Sequence, residues 1–148
     1  MPWPFAEMLG MRPQFIGEGR ARFELEVAAR HLNPNGTLHG GVIYSVADTA
    51  MGAALFSQLD PGEQCATLEI KMNYLLPVTG GSIAAEAAVV ARTKRVGVIE
   101  AKVYGDGDKL VALASVVKEE GEEPAIKKAE VPQDEPPAEN GAGPLARP

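Results

Sequence analysis

Apolar and polar residues alternate from residue 20 to 28, with Ala21, Phe23, Leu25 and Val27 on one side and Arg22, Glu24 and Glu26 on the other. A period of two is that of a half-buried strand, so this stretch predicts the first strand of the chain. The period then changes. Residues 31–38 are a loop dense in Asn, Pro and Gly, and residues 40–59 carry apolar side chains at helical spacing, at Val42, Ile43, Val46, Ala50, Met51 and Ala54. The second stretch predicts one long helix, apolar almost all round, and such a helix must be wrapped on most sides. Alternation returns after the turn at residues 60–62. Leu68, Ile70, Met72 and Tyr74 oppose Thr67, Glu69, Lys71 and Asn73, and Ile83, Ala85, Ala87 and Val89 follow a second turn at residues 79–81. Residues 96–104 and 110–117 are expected to pair across Gly105, Asp106, Gly107 and Asp108, a hairpin signal. A short helix over 4–10, with proline in its first turn and Gly10 as its stop, precedes the first strand. The expected order is short helix, strand, long helix, four strands. A single antiparallel sheet laid around one helix buries these faces economically, which makes the fold α+β.

Composition adds a boundary. The chain has 148 residues and a formal net charge of -6, but the charge is unevenly spread. Residues 119–148 hold 8 acidic and 3 basic side chains, leaving 12 and 11 for residues 1–118. The body, 1–118, reads as one domain of nearly neutral charge, without the basic footprint of a nucleic-acid binder. Residues 119–148 read as a disordered acidic, Pro-rich tail, either a plain extension or an interaction or solubilising segment. No apolar run is long enough to span a membrane, and the first residues lack the basic and apolar regions of a signal peptide. The expectation is a cytoplasmic protein without membrane association. A single cysteine, Cys65, rules out an intramolecular disulfide and reads as a small buried hydrophobe; with only His31 and His39 beside it, a zinc centre is not expected.

Two features carry chemistry. Gly40 and Gly41 follow His39 at the start of the long helix, where backbone N–H groups lack intrahelical partners and face the positive end of the helix dipole. Such donors suit a polarised carbonyl or a developing oxyanion, with Gly40 the best candidate; equally, the glycines could serve only close helix packing. Asp48 is the one charged residue between His39 and Asp60. A carboxylate amid Val46, Ala47, Ala50 and Met51 needs a partner or a role, and a general base or nucleophile is one such role. Eight residues of helix separate the two by about 12 Å, whereas a base must come within about 3 Å of what it activates. If both serve one reaction, Gly40 of one subunit must face Asp48 of another, which requires at least a homodimer.

These residues also carry a resemblance. The pattern N-x-x-G-x-L-H-G-G over residues 33–41 (NPNGTLHGG), the pair Ala47 and Asp48 in the helix, and YLLPV over residues 74–78 together resemble the hotdog-fold acyl-CoA thioesterases of the phenylacetate-degradation, or PaaI-like, branch. The match runs over about residues 15–118. It implies a hotdog fold, with a long central helix wrapped by a curved antiparallel sheet, and homodimers that often pair into tetramers. It further implies hydrolysis of an acyl-CoA thioester, with no cofactor beyond the coenzyme A of the substrate. By the same resemblance, the Gly40 amide polarises the carbonyl and Asp48 activates water or attacks the carbonyl. Asn33 helps orient the carbonyl or its loop, His39 contacts the substrate near the leaving sulfur, and Thr67 helps hold the water. Gly41 belongs to the substrate-binding turn, and Lys94 and Arg95 reach coenzyme A phosphates. Relatives commonly place a glycine next to that basic residue, whereas here Gly97 comes two positions after Arg95. Two other readings stay open: a hotdog enoyl-CoA hydratase or dehydratase, and a non-catalytic acyl-CoA-binding module.

Overall fold

The structure, a computed structural model, describes residues 3–122. A short helix α1 (Pro4–Leu9) leads into strands β1 (Met11–Gly17) and β2 (Arg20–Glu26). The long helix α2 (Gly40–Phe56) is followed by β3 (Glu63–Tyr74), β4 (Ser82–Arg92), β5 (Val96–Tyr104) and β6 (Leu110–Glu122). All six strands form one antiparallel sheet in the order β1-β2-β4-β5-β6-β3. The expected α+β layout, a central helix against an antiparallel sheet, is therefore present, and it is the layout of a hotdog fold.

Alternation along the strands decides which side faces the helix. Ala21, Phe23 and Leu25 of β2, Ile83, Ala85 and Ala87 of β4, Ile99, Ala101 and Val103 of β5 and Ala112, Ala114 and Val116 of β6 are all buried. They meet Val42, Ile43, Val46, Ala47, Ala50, Met51 and Leu55 of α2 in one core. Many of the sheet positions are alanine, and small side chains let a helix lie close on a sheet. Among the described residues, no helix is long and apolar enough to cross a membrane.

Four expectations change. A strand, β1, precedes the one read from residues 20–28. Its sequence MRPQFIG shows no alternation because it is an outer strand with only Met11 buried, and its pairing slips between Pro13 and Phe15. Proline is tolerated there because an outer strand has a free side. The hairpin to β2 turns on Glu18 and Gly19, both at positive φ, as a two-residue hairpin turn with the sheet's own twist requires. Second, the helix is not covered all round: Gly41, Tyr44, Ser45, Asp48, Thr49, Gly52 and Phe56 form a strip that is exposed or only half-buried. Third, β3 is the other outer strand. Leu68 and Tyr74, read as inward, are exposed, and Leu68 sits at a bulge against β6. Fourth, residues 119–122 are not tail: β6 runs on to Glu122 against β3. The remainder of the expected disordered segment, 123–148, lies outside the described residues.

The β6 extension is held by charge. On the inward side of β6, Ala112, Ala114 and Val116 are followed by Lys118 and Glu120, both buried. Arg92 meets the Glu120 carboxylate through Nε at 3.0 and 2.9 Å and through its terminal nitrogen at 2.7 Å. It also donates to the Gln58 carbonyl at 2.7 Å, just past the end of α2, where a cation suits the helix dipole. A buried carboxylate is tolerated when met by a guanidinium in this two-point way.

Candidate active site

The loop into α2 is pinned at its base. The buried His31 ring accepts the Ala28 N–H at Nδ1 (3.0 Å), which leaves Nε2 to donate to the Leu9 carbonyl at 2.9 Å. His31 thus ties the loop to the end of α1. Asn33 braces the tip: its Nδ2 donates to Thr37 Oγ1 (2.8 Å), and its Oδ1 accepts from the Asn35 and Thr37 amides. Each of these Asn33 bonds lies within its own loop.

At the helix start, His39 is the N-cap, and its Nδ1 accepts the Gly41 N–H at 2.9 Å. A side chain on residue 41 would press on that ring, since a Cβ would lie 2.9 Å from His39 Nδ1. Glycine at 41 therefore makes room for the cap, and the Gly41 amide is already engaged. Among the described residues nothing accepts the Gly40 N–H. Tyr74 packs its ring over Gly40 and donates its hydroxyl to the Gly40 carbonyl at 3.0 Å. Desolvation, and then Tyr44, push the Tyr74 phenol up, so it stays a donor. With Nδ1 accepting, the proton of a neutral His39 ring is on Nε2, so the ring can offer a donor.

Asp48 lies about 12 Å along the same helix from Gly40. Its carboxylate is not sealed in the core as expected; the side chain is 35% exposed. One oxygen, Oδ1, is held twice: by Lys118 Nζ at 3.1 Å and by the Thr67 hydroxyl at 3.3 Å. Lys118 also donates to Thr67 Oγ1, closing a three-member cluster across α2, β3 and β6. No described residue donates to Asp48 Oδ2. The structure thus joins Asp48 to Thr67 and keeps Gly40, His39 and Asn33 together at the other end of the helix. Lys118 was not singled out beforehand. Its signal is parity: it occupies an inward position of β6, where the preceding three inward residues are apolar.

The basic turn joins this end of the sheet. Lys94 and Arg95 connect β4 to β5, next to β6, where Gly97 is paired with Lys118. Arg95 reaches Glu119 at 3.3 Å on the surface. Gly97 is needed for packing, since a Cβ there would stand 2.9 Å from Leu55 Cδ1.

A cavity of about 280 Å³ opens beside Asp48, lined by Trp3, Phe5, Gly52, Ala53, Cys65 and Lys118. A larger groove of about 1120 Å³ lies on the sheet face turned away from α2, between Arg22, Lys71, Glu86, Glu100 and Lys102. It borders none of the candidate residues, so volume alone does not locate the chemistry. Cys65 is half-buried at the cavity wall rather than a core residue. Burial pushes its thiol up, against a smaller downward pull from Lys118. Thiolate, the reactive form, is then scarce near neutrality. Iodoacetamide is expected to label the native protein slowly at pH 7, with a rate that still climbs beyond about pH 9. A labelling rate already level below pH 8 would contradict this.

The model of the thioesterase superfamily matches residues 35–112. The chain is 32% identical over 109 residues to the acyl-coenzyme A thioesterase PaaI of Escherichia coli, a stretch covering 73% of this chain and 76% of that protein. It is 30% identical over 108 residues to the 1,4-dihydroxy-2-naphthoyl-CoA hydrolase of Listeria monocytogenes, covering 73% and 88%. Among solved structures, a conserved protein of Pseudomonas aeruginosa superposes with a TM-score of 0.78 at 36% identity, over 82% of this chain and 96% of that one.

Proposed function

The chain belongs to the thioesterase superfamily and is a hotdog-fold thioester hydrolase, and from that premise we propose that it hydrolyses an acyl-CoA to free acid and coenzyme A at sites shared between two subunits. The observation that carries the proposal is the separation of the two chemical ends of α2. Among the described residues, an amide without an acceptor stands at Gly40 and a carboxylate with one open oxygen at Asp48, about 12 Å away. One small carbonyl cannot touch both in one chain. An antiparallel partner helix brings Gly40 of one subunit to Asp48 of the other, twice per dimer.

Two surfaces suit such a partner. The strip of α2 left uncovered by its own sheet runs from Gly41 through Ser45 and Asp48 to Gly52 and Phe56, rich in small residues that allow close approach. β3 is a 12-residue outer strand whose end continues into exposed Tyr74, Leu75 and Leu76, an edge that natural proteins seldom leave open. Pairing of dimers into tetramers, with the same residues at each site, extends this reading.

The chemistry then runs as follows. The Gly40 N–H holds the thioester oxygen, and Asp48 takes a proton from water as the water oxygen bonds to the carbonyl carbon. The oxyanion collapses, the carbon–sulfur bond breaks, and the departing thiolate takes up the proton from Asp48. A thiolate leaves readily and needs little help, so a neutral donor such as His39 suffices near the sulfur. Thr67 lies within reach of the water through Asp48, and Lys94 and Arg95 offer charge for phosphates at that end of the sheet. The test is thiol release across a panel of aryl- and alkyl-CoA esters, with hydration of an enoyl-CoA followed alongside. Release of free thiol without enoyl hydration is expected; hydration without thiol release would overturn the proposal in favour of a hydratase.

A further inference from the structure

Lys118 lies buried on the inner side of β6, against Asp48 and Thr67. We infer that Lys118, with Thr67, is a positioning residue that fixes Asp48 by its Oδ1 and so designates Oδ2 as the oxygen that handles the proton. This rests on the reading of Asp48 as the base, and it concerns how that base is aimed.

Lys118 is 6% exposed in its side chain, and its ammonium is directed to two acceptors, Asp48 Oδ1 and Thr67 Oγ1. The Thr67 hydroxyl, receiving from Lys118, turns its own hydrogen to the same Oδ1. Both bonds converge on one oxygen although Asp48 has two. A purely cohesive ion pair gains nothing from leaving Oδ2 without a donor, whereas a base gains a fixed direction for its remaining lone pairs. The three residues come from α2, β3 and β6, so the aim is set by the packing of helix on sheet. The other charged group on the inner side of β6, Glu120, is held by Arg92 and does not compete for Lys118. Cys65, across the cavity, is a thiol whose raised value keeps it neutral beside the pair.

With Oδ1 anchored, the proton from water goes to Oδ2 as the new carbon–oxygen bond forms, and passes from Oδ2 to the leaving thiolate as the carbon–sulfur bond breaks. No further reactant is required. Losing the anchor leaves the carboxylate in place but free to rotate, which lowers the fraction of productive encounters and leaves the affinity for substrate untouched.

The experiment measures kcat and KM by thiol release in the full chain, with the acyl-CoA ester that the wild type cleaves fastest. Lys118→Met, close in volume, is expected to lower kcat by about 10- to 100-fold with KM within about twofold. Thr67→Val, which removes the second hold and barely alters the core, is expected to lower kcat by about 5- to 10-fold with the same signature. In an Asp48→Asn background, Lys118→Met should change the residual rate no further, because the lysine acts only through Asp48. Should Lys118→Met fail to fold, Thr67→Val alone and in the Asp48→Asn background decides the matter. Wild-type kcat in both single variants, or an added loss on top of Asp48→Asn, would overturn the inference. A wild-type protein that released no thiol from any ester would instead overturn the hydrolase reading beneath it, and the two failures are thus told apart.

Discussion

Asp48→Asn is expected to lower kcat for thioester hydrolysis by about 100-fold or more while acyl-CoA still binds. The substitution keeps the shape and leaves an oxygen for Lys118 and Thr67, so the cavity and the helix start are unchanged. What it removes is the lone pair able to take a proton from water. A second effect accompanies the first. Lys118 is buried and would face a neutral amide, so the thermal midpoint should fall by several degrees, about 1–2 kcal/mol for a charged hydrogen bond weakened in a site that stays one-third open to water. Combining Asp48→Asn with Lys118→Met should recover much of the stability and none of the rate, because the buried ammonium that faced a neutral amide is then gone. Steady-state thiol release, acyl-CoA binding and thermal unfolding on the same preparations check all three statements. Turnover near wild type in Asp48→Asn would remove the carboxylate from the mechanism.

The second large effect is a recovery. Gly40→Pro removes the backbone donor at the first helical position, where proline is tolerated, and should cost about 100-fold or more in kcat. Gly40→Ala keeps the N–H and serves as its control, although a Cβ there must displace the Tyr74 ring, 3.3 Å away. Neither Gly40→Pro nor Asp48→Asn homodimers should work. When the two chains are unfolded and refolded together, half of the dimers are mixed, and each mixed dimer unites an intact Gly40 with an intact Asp48 once. The mixture should therefore regain about one quarter of wild-type activity. Sites completed within one chain would regain none.

The spacing of apolar residues made most of this architecture legible. Alternation identified β2 and β4 and helical spacing identified α2, because each has a covered face and the pattern records that cover; β5 and the first part of β6 were identified by the hairpin signal at residues 105–108. The same rule explains what stayed hidden. β1 is an outer strand, and without a covered face its residues need not alternate; β3, the other outer strand, does alternate, but Leu68 and Tyr74 on its apolar side are exposed. The end of β6 was taken for tail because its acidic residues resemble solvent-facing sequence, yet Glu120 is buried against Arg92. At the site, the segment at residues 33–41 and Asp48 were visible as local patterns of glycine, histidine and a lone carboxylate. That Gly41 serves the His39 cap was not, since both glycines permit the same backbone.

By itself, then, the sequence determined the central helix, the inward faces of β2 and β4, and the distance along the helix between Gly40 and Asp48. These follow from local periodicity and the rise of a helix, which need no knowledge of what packs where. Only the tertiary structure decided which polar groups are already satisfied. It engaged Asn33 with its own loop, capped the helix with His39, left the Gly40 amide open, and brought Lys118 from 70 residues away onto one oxygen of Asp48. A hydrogen bond between distant segments depends on the register of every strand between them, and that register is set by the packing of the whole sheet on its helix.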